Sequence, residues 1–264
     1  MRVFPELASG AVAQFPWRRM IRYRSVRNRL PGGDEIDFGD VPYERRSWEL
    51  PLGDLEDVEW QVVRDFFAET GGRRLPFTFV EPGSNLLAWS DSLGEGVWVK
   101  SGGLQVSGGV LDPKGGTAAT TLSAGSTWTL SQTLLAPASR AFVASAWLKC
   151  SATGVALGMS DGAGQSKQVA VAADDIWRLY ELPWRLTSAA DQVVVDVAGP
   201  GGASVTVYGL QVEPQIRRSS YKRTTEQSGI FANAYFDQDS LIESLTAPNQ
   251  NSGTLRIQWT PSPI

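Results

Sequence analysis

Three short stretches carry residue types that catalytic or metal-binding sites use. The sequence GMSDGAGQSK at 158–167 resembles a phosphate-binding loop, DQD at 237–239 resembles the start of a calcium-binding loop, and Asp174 with Asp175 could form a glycosidase carboxylate pair. The first stretch lacks the Gly-Lys-Ser/Thr ending, and the second lacks the following glycine and the distal glutamate. Because adjacent residues of an extended chain point to opposite faces, Asp174 and Asp175 cannot flank one sugar. We interpret 158–167 as a hairpin turn and predict no catalytic site, no metal site and no cofactor.

Composition favours the same prediction. The chain of 264 residues has no histidine and one cysteine, Cys150, which excludes His-dependent triads, histidine metal sites, an internal disulfide and cysteine-based zinc sites. The net charge of −4 gives no basic excess for nucleic acid or anionic membrane. The Met1 start lacks a charged-then-apolar leader, and no apolar run approaches the roughly 18 residues that cross a bilayer. We expect a soluble, cytoplasmically made protein that is not an enzyme.

Six arginines fall within twelve residues near the start of the chain. Arginine binds phosphate through two parallel hydrogen bonds, so contact with nucleic acid is one interpretation. The acidic run DEIDFGD at 34–40 follows immediately and favours ion pairing across a hairpin or between chains. We predict contacts between subunits and no specific nucleic-acid binding. The arginines are Arg18, Arg19, Arg22, Arg24, Arg27 and Arg29.

Ten tryptophans form a second group with binding potential, and six of them lie between residues 85 and 225. Sugar-binding β-sandwiches stack sugar rings on exposed aromatic faces, which are apolar and rigid. Packing in the core is the alternative for any single tryptophan. Trp128 and Trp184 fit the alternation of their surroundings less well than Trp147 and Trp177. We therefore predict Trp128 and Trp184 as the candidates for stacking on a glycan.

One helix is predicted in the first 84 residues, among strands predicted at 20–26, 45–50 and 75–80. Asp54 is the predicted N-cap, and Gly71 with Gly72 ends the helix. Apolar residues between them recur at helical spacing. They are Leu55, Val58, Val62, Val63, Phe66 and Phe67.

Residues 85–225 consist almost entirely of predicted short strands and turns. Runs rich in β-branched and aromatic residues are separated at near-regular intervals by Gly, Pro, Asp and Ser clusters, which is typical of an all-β sandwich. Within 142–149, even-numbered residues share one face and odd-numbered residues the other. The predicted strands cover 142–149, 155–159, 168–171, 176–182, 192–197 and 205–212.

Two boundaries divide the chain. Lysine is absent before residue 85, where the turn sequence PGS at 82–84 marks the first boundary, and the basic stretch 217–223 precedes the second. Residues 226–264 are too few to fold alone, so their hairpin at 241–259 is predicted to complete the first domain. The prediction is a domain of 1–84 plus 226–264, with a second domain, 85–225, inserted into it.

The inserted segment resembles the carbohydrate-binding-module-like jelly rolls of tailed-phage structural proteins. The sequences NLLAWSDSL at 85–93 and WVKSG at 98–102 resemble the opening of those domains, and ASAWLK at 144–149 resembles their central strand. YGLQVEP at 208–214 and SYKRTT at 220–225 resemble their closing strand and exit. These five stretches occur in the correct order and span about the whole segment.

The flanking segments resemble the belt domain of distal tail proteins and related minor tail proteins of long-tailed phages. FPELASGAVAQFP at 4–16, the predicted helix and FTF at 77–79 carry the N-terminal part of this resemblance. NAYFDQDSL at 233–241 and LRIQW at 255–259 are similar to the last strands of the belt. The resemblance rests on pattern and order more than on fixed motifs.

Together the resemblances imply a mainly β protein of two β-sandwich domains, the outer one with a single α-helix and the inserted one a jelly roll. They imply a virion distal tail protein at the tail tip, synthesised in the host cytoplasm. Its belt would form a homo-oligomeric ring, expected to be a hexamer, between the tail tube protein and the tail-tip hub and other minor tail proteins. The jelly roll would project outward and aid attachment to the host surface.

The alternative is a minor tail protein that acts mainly as an adhesion module for a host-surface glycan. Neither function involves membrane insertion. The family's role is structural, so the resemblance implies no catalytic residue. Its sugar contacts vary between members, and none is assigned here by position.

Overall fold

The structure, a computed structural model, describes residues 2–185 and 189–261, without the side chains of Ser25 and residues 37–43. It is mainly β with one α-helix, as predicted. In chain order the elements are β1 (Arg18–Arg29), β2 (Glu35–Leu55), α1 (Asp57–Thr70), a 3-10 turn (Gly72–Arg74), β3 (Phe77–Val80), β4 (Val99–Lys100), β5 (Gln105–Val110), β6 (Ala119–Ser123), β7 (Trp128–Leu134), β8 (Ala141–Cys150), β9 (Ala156–Ser160), β10 (Ser166–Ala170), β11 (Arg178–Arg185), β12 (Val193–Gly199), β13 (Ser204–Glu213), β14 (Ile230–Phe236), β15 (Glu243–Ala247) and β16 (Gln250–Trp259).

The chain divides into two compact units. The outer unit contains residues 2–79 and 231–264, and the inserted unit contains residues 80–230. Within the inserted unit the two ends of the chain meet, because the Glu81 N–H donates to Gly229 O at 2.9 Å and the Gly229 N–H donates to Asn85 O at 3.0 Å.

The outer unit is built on one sheet in the order β1-β2-β16-β14-β3, with β15 also paired to β16. β16 runs antiparallel to β2 with Leu255 opposite Leu50. The prediction that the last hairpin completes the sheet of the first segment is therefore confirmed. β14, whose residues 230–236 lie between β16 and β3, overlaps the stretch 233–241 that resembles a last strand of the belt, although the residue pattern alone did not predict it.

Aromatic side chains form the core of the outer unit. The rings of Phe77 and Phe236 lie 5.0 Å apart between centroids, and those of Trp48 and Phe231 lie 4.7 Å apart. Trp60 on α1 is fully buried in the same cluster. Every residue of this cluster comes from the outer unit itself, so the core does not depend on the inserted segment.

The helix ends as predicted but begins later than predicted. Gly71 adopts φ 62, the left-handed conformation that a glycine C-cap supplies at low cost. Asp54 belongs to β2 and the N-cap is Glu56, so the predicted N-cap is wrong. Val58 is 80% exposed, because the buried face of α1 runs through Trp60 and Val63.

The inserted unit is a sandwich of two five-stranded antiparallel sheets. One has the order β10-β9-β12-β7-β4 and is named here the Asp196 sheet; the other has the order β11-β8-β13-β6-β5 and is named the Trp147 sheet. The predicted alternation in 142–149 is present only in its second half: Ala146 and Leu148 are fully buried and Trp147 is half-buried, whereas Val143 and Ser145 on the same side as Trp147 are buried too. The strands at 99–134 were not predicted, because glycine, serine and threonine dilute their apolar pattern.

The motifs that open and close the inserted segment hold its two ends together. The side-chain oxygen of Asn85 accepts hydrogen bonds from the backbone N–H groups of Leu87 and Val212, both at 3.1 Å. Its side-chain N–H donates to Lys222 O at 3.0 Å. Asn85 is buried, so it links the first, penultimate and last motifs from inside the fold.

Candidate functional site

The outer face of the Asp196 sheet presents one row of side chains across all five strands. The register places Gln168 opposite Gly158, Gly158 opposite Asp196, Asp196 opposite Ser131, and Ser131 opposite Val99. The neighbours of Asp196 on its own strand, Val195 and Val197, are fully buried. Because side chains alternate along a strand, the row faces outward.

Gly158 leaves the space in which the Asp196 carboxylate lies. A Cβ atom at position 158 would lie 2.8 Å from each carboxylate oxygen of Asp196, closer than a carbon and an oxygen can approach. The backbone of Gly158 does not have a positive φ, so its conformation does not require glycine. The absence of a side chain at position 158 instead leaves a recess in the outer face of the sheet, and the Asp196 carboxylate lies in it.

The Asp196 carboxylate has no partner among residues 2–185 and 189–261. No donor or cation reaches it, and burial raises the pKa of this carboxyl above its usual range. Asp112 of the same unit, in contrast, accepts backbone N–H bonds from Lys114 at 2.8 Å and Gly116 at 3.1 Å. A half-buried carboxylate without a partner can accept hydrogen bonds from a ligand.

The predicted glycan-stacking tryptophans do not lie on this face. Trp128 is 0% exposed, because it occupies an inward position of β7 and packs against Gly199. The prediction of an exposed Trp128 is therefore wrong. Trp184 is half-buried and sits opposite Phe142, on the side of the Trp147 sheet that faces the core. Asp196 was missed because a single aspartate within a valine-rich run gives no sequence signal of its surroundings.

Four of the six arginines, those at positions 22, 24, 27 and 29, lie on a two-stranded arm of the outer unit, and Arg18 and Arg19 precede it on the same strand. β1 and β2 form a long antiparallel hairpin, but β16 pairs with β2 only as far as Arg46. Beyond that residue the hairpin has no further strand beside it within the described structure. We call residues 20–45 the hairpin arm. The six arginines at positions 18, 19, 22, 24, 27 and 29 are all exposed.

The acidic run returns along the other strand of the arm. Glu35 is opposite Arg29, and the backbone of Asp37 is opposite Arg27. The predicted pairing of acidic and basic residues across a hairpin thus agrees with the register, although the side chains of Asp37 and Asp40 lie outside the described residues. Arg22 is opposite Arg45, a pair of like charges that opposes pairing of the two strands.

Apolar side chains are also exposed on both faces of the arm. Met20 and Ile21 are adjacent in a strand and point to opposite faces, yet they are 52% and 41% exposed. Tyr23 is 70% exposed. Tyr23 lies where the hairpin is only two-stranded, and since an isolated two-stranded hairpin is marginally stable in water, covering its exposed apolar side chains would stabilise it.

In the described ranges, no three His, Cys, Asp or Glu side chains are grouped closely enough to hold a metal ion. None of the helices described is long and apolar enough to span a membrane.

Comparison with known proteins gives structural likenesses only. No family model and no curated protein matches the chain. The enzymatically active domain of tailspike protein 4 from bacteriophage CBA120 aligns with 15% identity and a TM-score of 0.41, over 55% of this chain and 23% of that one. The module TmCBM61, solved with β-1,4-galactotriose, aligns with 19% identity and a TM-score of 0.38, over 50% and 99%. The CBM22-1 xylan-binding domain of Paenibacillus barcinonensis Xyn10C aligns with 16% identity and a TM-score of 0.39, over 53% and 99%.

Proposed function

We propose that the inserted unit is a glycan-binding module of a phage tail protein and that the outer face of the Asp196 sheet is its binding face. The observation that supports this most strongly is the Asp196 carboxylate, which is recessed by Gly158 and has no partner in the described structure. Leaving a polar group desolvated and unpaired costs free energy, so a site that does so is a candidate for ligand binding.

The chemistry of the row fits a neutral sugar. A carboxylate accepts hydrogen bonds from two hydroxyls at once, which neighbouring sugar hydroxyls supply. Gln168 and Ser131 lie in the same row and add amide and hydroxyl groups on either side. An acidic sugar would place a second negative charge beside Asp196, so the proposed ligand is a neutral polysaccharide.

Affinity electrophoresis of the full chain in gels containing xylan, galactan, β-glucan or dextran tests this function. We expect at least one of these polymers to retard the protein and Asp196→Asn to lose most of that retardation. Glu95→Gln is the matched control, since it removes one carboxylate from an exposed loop of the same unit. Equal migration of wild type and Asp196→Asn in every polymer would refute the proposed face.

The hairpin arm supports a second function, the structural one. We propose that the outer unit assembles into a ring at a phage tail tip and that the arm contacts the neighbouring copy. A ring closes when unlike surfaces of each copy meet around an axis. The arm carries an arginine-rich strand, an acidic strand and exposed apolar residues on both faces, as a contact surface requires.

Charge reversal in the arm tests assembly. We expect Arg22→Glu with Arg24→Glu to leave the circular dichroism spectrum unchanged and to lower the mass measured by light scattering. Lys100→Glu with Arg217→Glu reverses the same number of charges on the inserted unit and should leave the mass unchanged. The assembly role fails if the arm variant keeps the oligomer of the wild type, or if the wild type is a monomer at all accessible concentrations.

A further inference from the structure

The outer face of the Trp147 sheet carries a second ordered array of side chains, distinct from the Asp196 face. The register places Leu179, Trp147 and Tyr208 side by side on β11, β8 and β13. The next outward row on the same strands and β6 contains Lys149, Thr206 and Thr121. An apolar row therefore runs beside a polar row, about 7 Å away, which is two residues along a strand.

These side chains are open to solvent although their inward neighbours are not. Trp147, Tyr208 and Leu179 are half-buried, whereas Leu148 and Val207 beside them are buried in the core. Trp147 and Tyr208 are therefore outward-facing surface rings. Since Cβ atoms of directly opposite residues lie about 4.5–5.5 Å apart, these side chains are neighbours on the face. We call Leu179, Trp147 and Tyr208 the platform.

Tyr208 is held rigidly. The strand bulges immediately after it, and Gly209 adopts φ 66, a conformation that costs glycine little. A Cβ atom on Gly209 would lie 3.3 Å from the ring of Tyr221, so the glycine lets that ring approach. The Tyr221 ring packs edge-on against Tyr208 at 5.7 Å between centroids, and its hydroxyl lies 2.9 Å from Ser90 Oγ.

Two lysines border the platform. The Lys114 ammonium lies 5.8 Å from the centroid of the Tyr208 ring. Lys149 lies 3.6 Å from an Asp175 oxygen whose side chain is 66% exposed, a solvent-exposed pair that contributes little and exchanges easily. Both ammonium groups can therefore contact an anion bound over the rings.

We propose that this face of the Trp147 sheet is a second binding site, for an acidic glycan. Aromatic faces take the C–H face of a sugar ring, the threonine hydroxyls take its hydroxyl edge, and the lysines take a carboxylate or sulfate group. A peptide is less suited, because sheets bind extended peptides at an edge strand, and this array occupies the middle of a face. The two faces of the sandwich would then bind different classes of glycan, neutral on the Asp196 face and acidic on this one.

Dextran and dextran sulfate test the proposal, because they share a backbone and differ in charge. The protein used is the full chain carrying Asp196→Asn, so that the result does not depend on the first face. We expect dextran sulfate to bind at least about tenfold more tightly than dextran. Trp147→Ala should weaken that binding by roughly 3- to 10-fold, the usual range for one aromatic contact, with Trp147→Phe in between.

Charge is tested separately. Lys114→Gln with Lys149→Gln should weaken binding of dextran sulfate, whereas Lys100→Gln with Lys167→Gln removes two charges from the Asp196 sheet and should not. Thermal unfolding of each variant checks that it is folded. Equal effects of the two lysine pairs, equal binding of both polymers, or equally tight binding of poly-glutamate would each overturn the assignment, as would no binding to dextran sulfate.

Discussion

At the scale of single residues, Asp196 presents a conflict between stability and binding. Burial without a partner raises the pKa of its carboxyl, so the ionised form is less stable in the folded chain than in the unfolded chain. A residue whose only role is to stabilise the fold would not have a carboxyl pKa raised in this way. Removal of the charge of Asp196 is therefore expected to stabilise the folded protein.

We expect Asp196→Asn to raise the unfolding temperature at neutral pH, by no more than a few degrees, since about 1 kcal/mol corresponds to roughly 2–4 °C for a domain of this size. The destabilising effect of the ionised group is fully present above the raised folded-state pKa. It disappears as the pH falls below the unfolded-state value, because both states are then protonated. The difference between variant and wild type in calorimetry should shrink on acidification; a pH-independent difference would contradict this origin.

Gly158 is expected to matter for glycan binding because it leaves the space for the Asp196 carboxylate. A methyl group at position 158 would displace the Asp196 carboxylate, whose oxygens lie 2.8 Å from the site of the added Cβ. Gly158→Ala should therefore lower glycan retention in affinity electrophoresis while the far-ultraviolet circular dichroism spectrum stays that of wild type. Ala156→Ser, one position earlier on the same outward face, is a matched control that should retain binding. Unchanged retention in Gly158→Ala would show that the recess is not used.

Trp128 is a core residue and not the exposed glycan-stacking residue that the sequence predicted. It fills the core and contacts Gly199, where a Cβ would lie 2.6 Å from the indole ring. Trp128→Ala should destabilise the chain by about 3–5 kcal/mol, the usual cost of truncating a buried tryptophan. Denaturant unfolding measures this. Near-wild-type stability of the variant would contradict the core assignment.

At the scale of elements, prediction from sequence succeeded where period and burial coincide. Gly71 ends α1 as predicted, because a glycine C-cap leaves a local signal, and β8 was predicted as a strand from its run of apolar residues, although its burial alternates only over residues 146–150. The predicted helix stripe was partly wrong, since Val62 is exposed and Trp60 occupies the core. Apolar type alone does not distinguish these positions; the packing of distant strands against α1 does.

The two outer faces of the sandwich show a further limit of prediction from sequence. The rows that carry Asp196 and Trp147 are assembled from strands far apart in the chain, and only the register aligns them. Gly158 and Gly209 matter because of what lies opposite them, which no local window contains. The hairpin arm is the exception, since its charge pattern is contiguous and its pairing could be predicted.

At the scale of the whole molecule, the outer unit has a self-contained core. All residues of its buried cluster lie between residues 4 and 79 or between 231 and 257, so removal of the inserted unit deletes none of them. We expect a chain in which residues 82–228 are replaced by a short Gly-Ser turn to fold, with cooperative thermal unfolding followed by circular dichroism. A chain lacking residues 241–259 is the control and should not fold, because β16 is then absent. Unfolded material in the first case would contradict this autonomy.

The whole chain is expected to have no catalytic activity toward glycans. We propose that the protein hydrolyses no glycan, since Asp196 has no second carboxylate in its row to complete an acid–base pair. Incubation with the polymers that it binds should release no reducing sugar. Release that is abolished by a single Asp or Glu substitution would overturn this.

The hydrogen bond between Glu81 and Gly229 determines which segments could replace the inserted unit. Because the two ends of the inserted unit are hydrogen-bonded neighbours, any segment whose own ends lie a few ångströms apart could replace it with no adjustment elsewhere. Next to this junction, β3 and β14 are adjacent strands of the outer sheet and hold the cut ends in place. Recombination at this junction could therefore exchange the inserted domain for another while the sheet of the outer unit is inherited unchanged.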